Sequence, residues 1–236
     1  MKRKALVIGN TSGLAGVKND IVRFTKFLES ARGGSWYGSE IKILQNPRKR
    51  EVLAQVETMK ADRLDYAVVM FSGHGGHIRT TQLELNDDET LDETSLQKIA
   101  TRQLNIYDCC RVSLSLMTKS LAMESANVVY DSALAVRKIY EERILQAIPQ
   151  QVSLYACSVG EVSYDTSDGA VYLSELLAAA NRANGARFLT VGAAHEAAAQ
   201  RVEANRRNHP NRESQVPQAV LPKCLSAQQL ILAMNA

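Results

Sequence analysis

Short unbroken apolar runs alternate along this chain with stretches in which apolar residues recur every third or fourth position. Runs at residues 4–10 (KALVIGN), 41–44 (IKIL), 67–71 (AVVMF), 104–107 (LNIY) and 151–157 (QVSLYAC) read as strands, the first of them central and the third buried. Between the first two, Ile21, Phe24, Phe27 and Leu28 fall at helical spacing behind Asn19-Asp20, with Gly33-Gly34 as the stop. Asn46-Pro47 opens a second helix, to about residue 61, with Val52, Val56 and Met59 inward. A loop at 83–93 is acidic (Asp87, Asp88, Glu89, Asp92, Glu93), and Thr94 or Ser95 caps a short helix after it. Residues 113–150 lack glycine and read as helical from about residue 121. Further helices are predicted at 171–184, ended by Gly185, and at 190–205, which is rich in alanine. A basic loop at 205–215, a last strand within 217–225 and a capped helix at 226–234 complete the pattern. This alternation predicts an α/β fold, a mostly parallel six-stranded sheet with helices on both faces. No internal repeat interrupts it.

Composition narrows the function classes. The 236 residues suffice for one large α/β domain, and 45% hydrophobic with 22% charged residues is ordinary for a globular protein. A net charge of +3, with scattered basic residues, argues against nucleic acid as a partner. No apolar run is long enough for a membrane span, and Met1-Lys2-Arg3-Lys4 leads directly into a strand rather than a signal peptide. Four cysteines (Cys109, Cys110, Cys157, Cys224) do not make a disulfide framework, so a reduced, cytoplasmic setting is expected.

The chemistry gathers at the ends of two strands. The run at 67–71 ends in Ser72-Gly73-His74-Gly75-Gly76, and the run at 104–107 ends in Asp108-Cys109-Cys110-Arg111. Parallel strands bring such loops to the carboxyl edge of the sheet, where open α/β proteins build their sites. A histidine on one loop and a cysteine on the other suggest a thiolate nucleophile with its base. Neighbours on a strand point to opposite faces, so only one of Cys109 and Cys110 can meet His74, and Asp108 shares the direction of Cys110.

Strand-SGHG followed by strand-DCCR resembles the caspase-like cysteine peptidases, and among them the metacaspases and their bacterial relatives. The likeness runs through nearly the whole chain. Residues 14–20 (LAGVKND) are similar to the family's Leu-x-Gly-x-x-Asn-Asp segment, and Asp87-Asp88-Glu89 to its acidic loop. Ala156-Cys157-Ser158 through Tyr164-Asp165 and Gly169 resembles the segment lining the substrate groove, and Gln215-Val216-Pro217 a Gln-x-Pro before the last strand. The departure is Arg111-Val112-Ser113, where metacaspases carry His-Ser-Gly and both groups usually have a nearby glycine.

The resemblance implies a caspase-haemoglobinase-like three-layer fold as a single domain over 1–236. Within it, 1–115 is a large-subunit-like half, 116–150 a helical linker-like segment, and 151–236 a small-subunit-like half. It selects Cys110 as nucleophile with His74 as base and the backbone N–H groups of Gly75 and Cys110 as oxyanion donors. It places Asp20, Ser72 and Asp108, with Asp165 added, around the side chain before the cut. Carboxylates in a narrow pocket favour a cation, so cleavage after Arg, with Lys second, is expected. The implied partners are a protein or peptide substrate, an activating partner and, by analogy with compact defence proteases, a gasdermin-like substrate.

Plainer readings stand beside these. Cys109 is a small buried hydrophobe and His77 a rim residue, while His195, Glu196 and Arg201 face water. Cys157, in ACSVG, resembles the nucleophile segment of the CHAT-type peptidases, which makes it the alternative thiol. The acidic loop invites calcium, but its spacing is not that of an EF-hand, and no metal or cofactor is assigned. Arg206-Arg207, Arg212 and Lys119 are candidate self-cleavage points. The rival from another class is a caspase-like scaffold without turnover.

Overall fold

The apolar runs become strands because alternate side chains have a core to enter on each side of the sheet. The computed structural model describes residues 1–113, 133–182, 186–209 and 211–235. In chain order its elements begin with β1 (Arg3–Gly9), α1 (Gly16–Glu29), β2 (Ile41–Gln45), α2 (Lys49–Ala61) and β3 (Leu64–Ser72). Three short strands follow, β4 (Gly75–His77), β5 (Thr81–Glu84) and β6 (Thr90–Asp92), then β7 (Ala100–Asp108), α3 (Ala133–Gln146) and β8 (Gln150–Tyr155). The remainder is β9 (Asp165–Thr166), β10 (Gly169–Ala170), α4 (Val171–Arg182), β11 (Phe188–Thr190), α5 (Val191–Arg207), β12 (Gln218–Val220) and β13 (Ile231–Met234).

The main sheet has six strands in the order β12-β8-β7-β3-β1-β2, all parallel except β12. Ala5, Val7, Val68, Met70, Leu104, Ile106, Val152 and Leu154 enter one core with Phe24 of α1, Tyr140 of α3, Tyr172 of α4 and Ala198 of α5. The alternate residues Leu6, Ile8, Val69, Phe71 and Tyr107 enter the other with Val52, Val56 and Met59 of α2 and with Leu83 and Leu91 of the small sheet. The expected α/β architecture of helices on both faces is therefore what the chain adopts.

Several boundaries differ from the pattern reading, each for a local reason. Helix α1 starts at Gly16, three residues before Asn19, because the Asp20 carboxylate is spent elsewhere, on the Ala170 N–H (3.0 and 3.2 Å). It ends at Glu29, and Gly33 and Gly34 belong to the turn beyond it. Helix α2 is capped at Arg48, since Asn46 takes a left-handed φ of 46° and turns its side chain to the Thr11 N–H at 2.7 Å. The acidic loop holds strands β5 and β6 of the small sheet, and Asp92, not Thr94 or Ser95, caps the 3-10 turn Glu93–Leu96. Residues 205–207 extend α5 rather than starting a loop. The tail is not a helix: after a 3-10 turn (Ser226–Gln228), β13 pairs antiparallel with β11. Four consecutive buried residues there satisfy helix and strand patterns alike. His195 does not face water; it is buried, with Nδ1 2.8 Å from the Tyr172 hydroxyl. The expected helix start near residue 121, Lys119, and the stop at Gly185 lie outside the described residues.

Candidate active site

Register carries the two loops to one place. Strands β3 and β7 pair in parallel with Ser72 opposite Asp108, and the Gly73 N–H continues the ladder onto the Asp108 carbonyl at 3.1 Å. His74 therefore leaves β3 beside the point where Cys110 leaves β7. The Glu84 N–H donates to the His74 carbonyl at 3.0 Å and fixes the turn against β5. With Gly75 opposite Leu83, that bond makes Gly75 a non-hydrogen-bonded ladder position, so its N–H faces away from β5. A side chain at Gly75 would run into the Gln82 carbonyl and the Cys109 sulfur, which only glycine avoids.

A cavity of about 530 Å³ opens at this edge, lined among others by Ser72, His74, Asp108, Cys110, Ser163 and Asp165. Of the sequence-predicted residues it brings these five together: His74, Cys110, Ser72, Asp108 and Asp165. Asp20 stands one layer behind, buried, accepting from the Ser72 hydroxyl at 2.6 Å. Gly169, at a φ of +116°, lets the β9–β10 hairpin close over Asp20, because a Cβ there would overlap its carboxylate.

Cys110 is half-buried, its sulfur clasped by one residue: Ser163 N–H donates to Sγ at 3.3 Å, and Sγ–H donates to the Ser163 carbonyl at 3.5 Å. Burial pushes the thiol up despite the Ser163 amide, and Asp108, Glu84 and Glu213 add to the push. Cys109 points the other way, into the core with Tyr107 and Tyr155, as strand alternation requires. Cys157 is fully buried, with Sγ–H spent on the carbonyls of Cys109 (3.4 Å) and Glu161 (3.3 Å), and burial drives its thiol far up.

The carboxylates are unusually placed. Burial, then the charge of Asp108, pushes Asp20 up to about 8 despite bonds from Ser72 and Ala170. Asp108 is raised by burial to about 6, although Ser163 Oγ donates to Oδ1 at 2.6 Å and the Leu173 N–H to Oδ2 at 2.8 Å. Burial raises Asp165 to about 6 as well. Among the described residues, none of the three forms an ion pair and no His/Cys/Asp/Glu group has the arrangement of a metal site. Two carboxyl groups lining the cavity, with a third behind Ser72, give it an end that can hold a cation brought from outside.

Arg111 is the residue that pattern reading undervalued. It is buried, its guanidinium 4.1 Å over the Tyr155 ring, donating to Thr81 Oγ1 (3.2 Å), the Cys157 carbonyl (3.2 Å) and Gln218 Oε1 (2.9 Å). It thereby ties β5, β8 and β12 together behind the nucleophile loop. Residues 111–113 have no positive φ, so the glycine that the family carries nearby is not needed for this turn. The loop is fixed by backbone bonds instead, Arg111 N–H to Glu161 O and His77 N–H to Val112 O. Ser163 was not singled out, only hinted at by the groove-lining stretch before Asp165, and Gln215 was noted for its Gln-x-Pro resemblance but given no role, since the partners of both lie on other segments.

Comparison with known proteins agrees with this fold. The model of one family, described as the caspase domain of the C14 peptidases, matches residues 2–225. Caspase-1 from Spodoptera frugiperda has a similar fold, with a TM-score of 0.61 at 11% identity, covering 93% of this chain and 86% of that one. Protein GSU0716 from Geobacter sulfurreducens gives a TM-score of 0.61 at 13% identity, covering 93% of both chains. No curated protein sequence matches. At those identities the structural likeness is one of fold.

Proposed function

The chain belongs to the caspase-domain family of C14 peptidases, and from that premise we propose that it is a cysteine endopeptidase cutting after Arg, and less readily after Lys. The observation that carries this reading is one cavity in which Cys110 and His74 stand beside Ser72, Asp108 and Asp165, with Asp20 behind. In the proposed reaction His74 takes the Cys110 proton as sulfur attacks the peptide carbonyl, then returns it to the leaving amine. The N–H groups of Gly75 and Cys110 receive the oxyanion. A guanidinium entering the acidic end meets Asp108 and Asp165 directly and feels Asp20 through Ser72, which supplies the positive charge missing there. Buried Cys157, with its thiol engaged by two carbonyls, is a poor alternative nucleophile.

One observation favours a second reading, a scaffold without turnover: the resting Cys110 is held as a neutral thiol. A thiol-reactive peptide bearing Arg separates the two, since an inert scaffold leaves Cys110 unmodified. Control by a partner protein, a two-half organisation (1–115 and 151–236 around a linker), cytoplasmic location and a gasdermin-like substrate in bacterial defence belong to the same proposal, on family analogy.

Release of fluorophore from peptides ending in Arg, Lys or Asp, with and without calcium, tests it. Wild type is expected to cleave Arg best, and Cys110→Ala to lose on the order of 10⁵-fold. Cleavage after Asp would sink the acidic-pocket assignment, and undiminished turnover by Cys110→Ala would sink the nucleophile.

A further inference from the structure

We propose that Ser163 is a positioning residue that joins the two halves of the site, its hydroxyl keeping Asp108 aimed and ionised while its backbone holds the Cys110 sulfur. The inference rests on reading the acidic end of the cavity as the seat of a cationic side chain.

Ser163 uses every polar atom it has on this site. Its N–H and carbonyl clasp Cys110 Sγ, and its hydroxyl donates to Asp108 Oδ1 at 2.6 Å. The direction of that last bond is settled by Gln215. Its Nε2, a donor only, approaches Ser163 Oγ at 3.3 Å and also donates to the Ala156 carbonyl at 3.0 Å. With Oγ accepting from Gln215, the hydroxyl proton goes to Asp108. Gln215 is buried, so this orientation is not negotiated with water. The Leu173 N–H, in the first turn of α4, supplies the other donor to Asp108.

Two donors are what Asp108 has against its surroundings. Asp165 of β9 faces it with like charge, Asp20 of α1 and the Tyr172 hydroxyl of α4 are the other titratable groups that interact with it, and Cys109 and Cys110 follow it on its own segment. His74, Glu84 of β5 and Glu213 complete the groups around Cys110. Because the three carboxylates interact, their titration belongs to the cluster; only Asp108, however, accepts from Ser163. Removing the hydroxyl takes away a bond made to the charged form, so ionisation moves to higher pH. The clasp on sulfur is backbone and survives the same change. A residue that merely supported the fold would not separate the two effects.

The test is benzamidine binding by calorimetry across pH, with Cys110 alkylation by iodoacetamide, for wild type, Ser163→Ala and Ser163→Thr. The midpoint below which benzamidine affinity falls is expected to rise by about one pH unit in Ser163→Ala, about a tenfold loss on its acid side. Ser163→Thr, which keeps a hydroxyl, restores it. Alkylation at neutral pH stays within about twofold in both variants, since one unit of proton affinity at Asp108 is the only thing changed. An unmoved midpoint in Ser163→Ala, or alkylation falling in step with binding, overturns the proposal while leaving the cationic pocket intact. Wild type that binds no benzamidine at any pH removes the pocket reading, and the proposal with it.

Discussion

Both ends of the central sheet bury charge, and they treat it in opposite ways. At the amino end, Arg3 is buried under the Trp36 ring, 4.4 Å from guanidinium to centroid, and donates to the carbonyls of Gly34 and Ser35. Glu40 and Glu141 lie 3.6 and 3.5 Å from it. Arg137 bonds both oxygens of Glu40 (2.7 and 2.6 Å) and pairs with Glu141 at 3.0 Å, and the Met1 amine lies 3.3 Å from Glu141. Cations and anions alternate, and burial at Glu40 is overcome by Arg137, which holds that carboxyl below its usual range. At the carboxyl end, Asp20, Asp108 and Asp165 gather without an ion pair among the described residues, and all three are pushed up. A cluster whose cations and anions face one another is part of the fold. A cluster of like groups, under the proposed reading, leaves its balance to a ligand.

Removing one charge at each end gives opposite results if that contrast is right. The larger effect is at the carboxyl end. Asp108→Asn keeps the shape and the Leu173 bond but removes the charge that an Arg side chain would meet. Cleavage after Arg should lose about 4 kcal/mol of transition-state binding, roughly 10³-fold in kcat/KM. Stability at pH 8 should not fall, since a buried, uncompensated carboxylate has gone. Steady-state kinetics with a melt of the same sample reads both; lost stability with intact cleavage would erase the contrast.

At the amino end the order reverses. Arg3→Leu takes the buried cation from between Glu40 and Glu141 and leaves the Gly34 and Ser35 carbonyls without its donors, and should cost about 3 kcal/mol of stability, a fall of about 10 °C in Tm. Once folded, kcat/KM should stay within about twofold at permissive temperature. A catalytic loss larger than the folded fraction explains would mean that the two ends communicate through β1.

How much of this was legible beforehand follows the range of the interactions. The strand runs and the ridge of Ile21, Phe24 and Leu28 are local patterns, and they placed the sheet, α1 and both reactive loops. The parity of Asp108 and Cys110 followed from strand geometry alone. The choice of Cys110 over Cys109, and of Asp20 as part of the proposed pocket, came only through family resemblance, because α1 meets β3 far along the chain. Ser163, Gln215 and Arg111 bond residues 30 to 107 positions away, and no spacing rule points to such pairs. The tail failed for the opposite reason: Ile231–Met234 is too short and too uniformly apolar for its period to be read.

The smallest effect is the most direct reading of the unbalanced end. An aspartate that ionises near 3.8 when unfolded but at about 8 when folded leaves the folded protein holding one extra proton between those values. Stability therefore falls as pH rises through that window, by about 1.4 kcal/mol per unit at full proton difference. Asp108 and Asp165 act in the same direction but are spent by about 6. His195, lowered by burial, acts in the opposite direction only below its ordinary value of 6.5, and Cys110, pushed above 9, does not yet titrate. Between pH 6.5 and 8 Asp20 thus adds a falling slope, which the Asp20→Asn variant isolates. Wild type should lose about 1–2 kcal/mol over that interval, about 5 °C in Tm. Asp20→Asn, whose amide can still accept from Ala170 and donate to Ser72, should be flat. A wild-type melt that is equally flat would mean that Asp20 is already ionised and balanced, and that the carboxyl end is not the unmatched cluster its geometry describes.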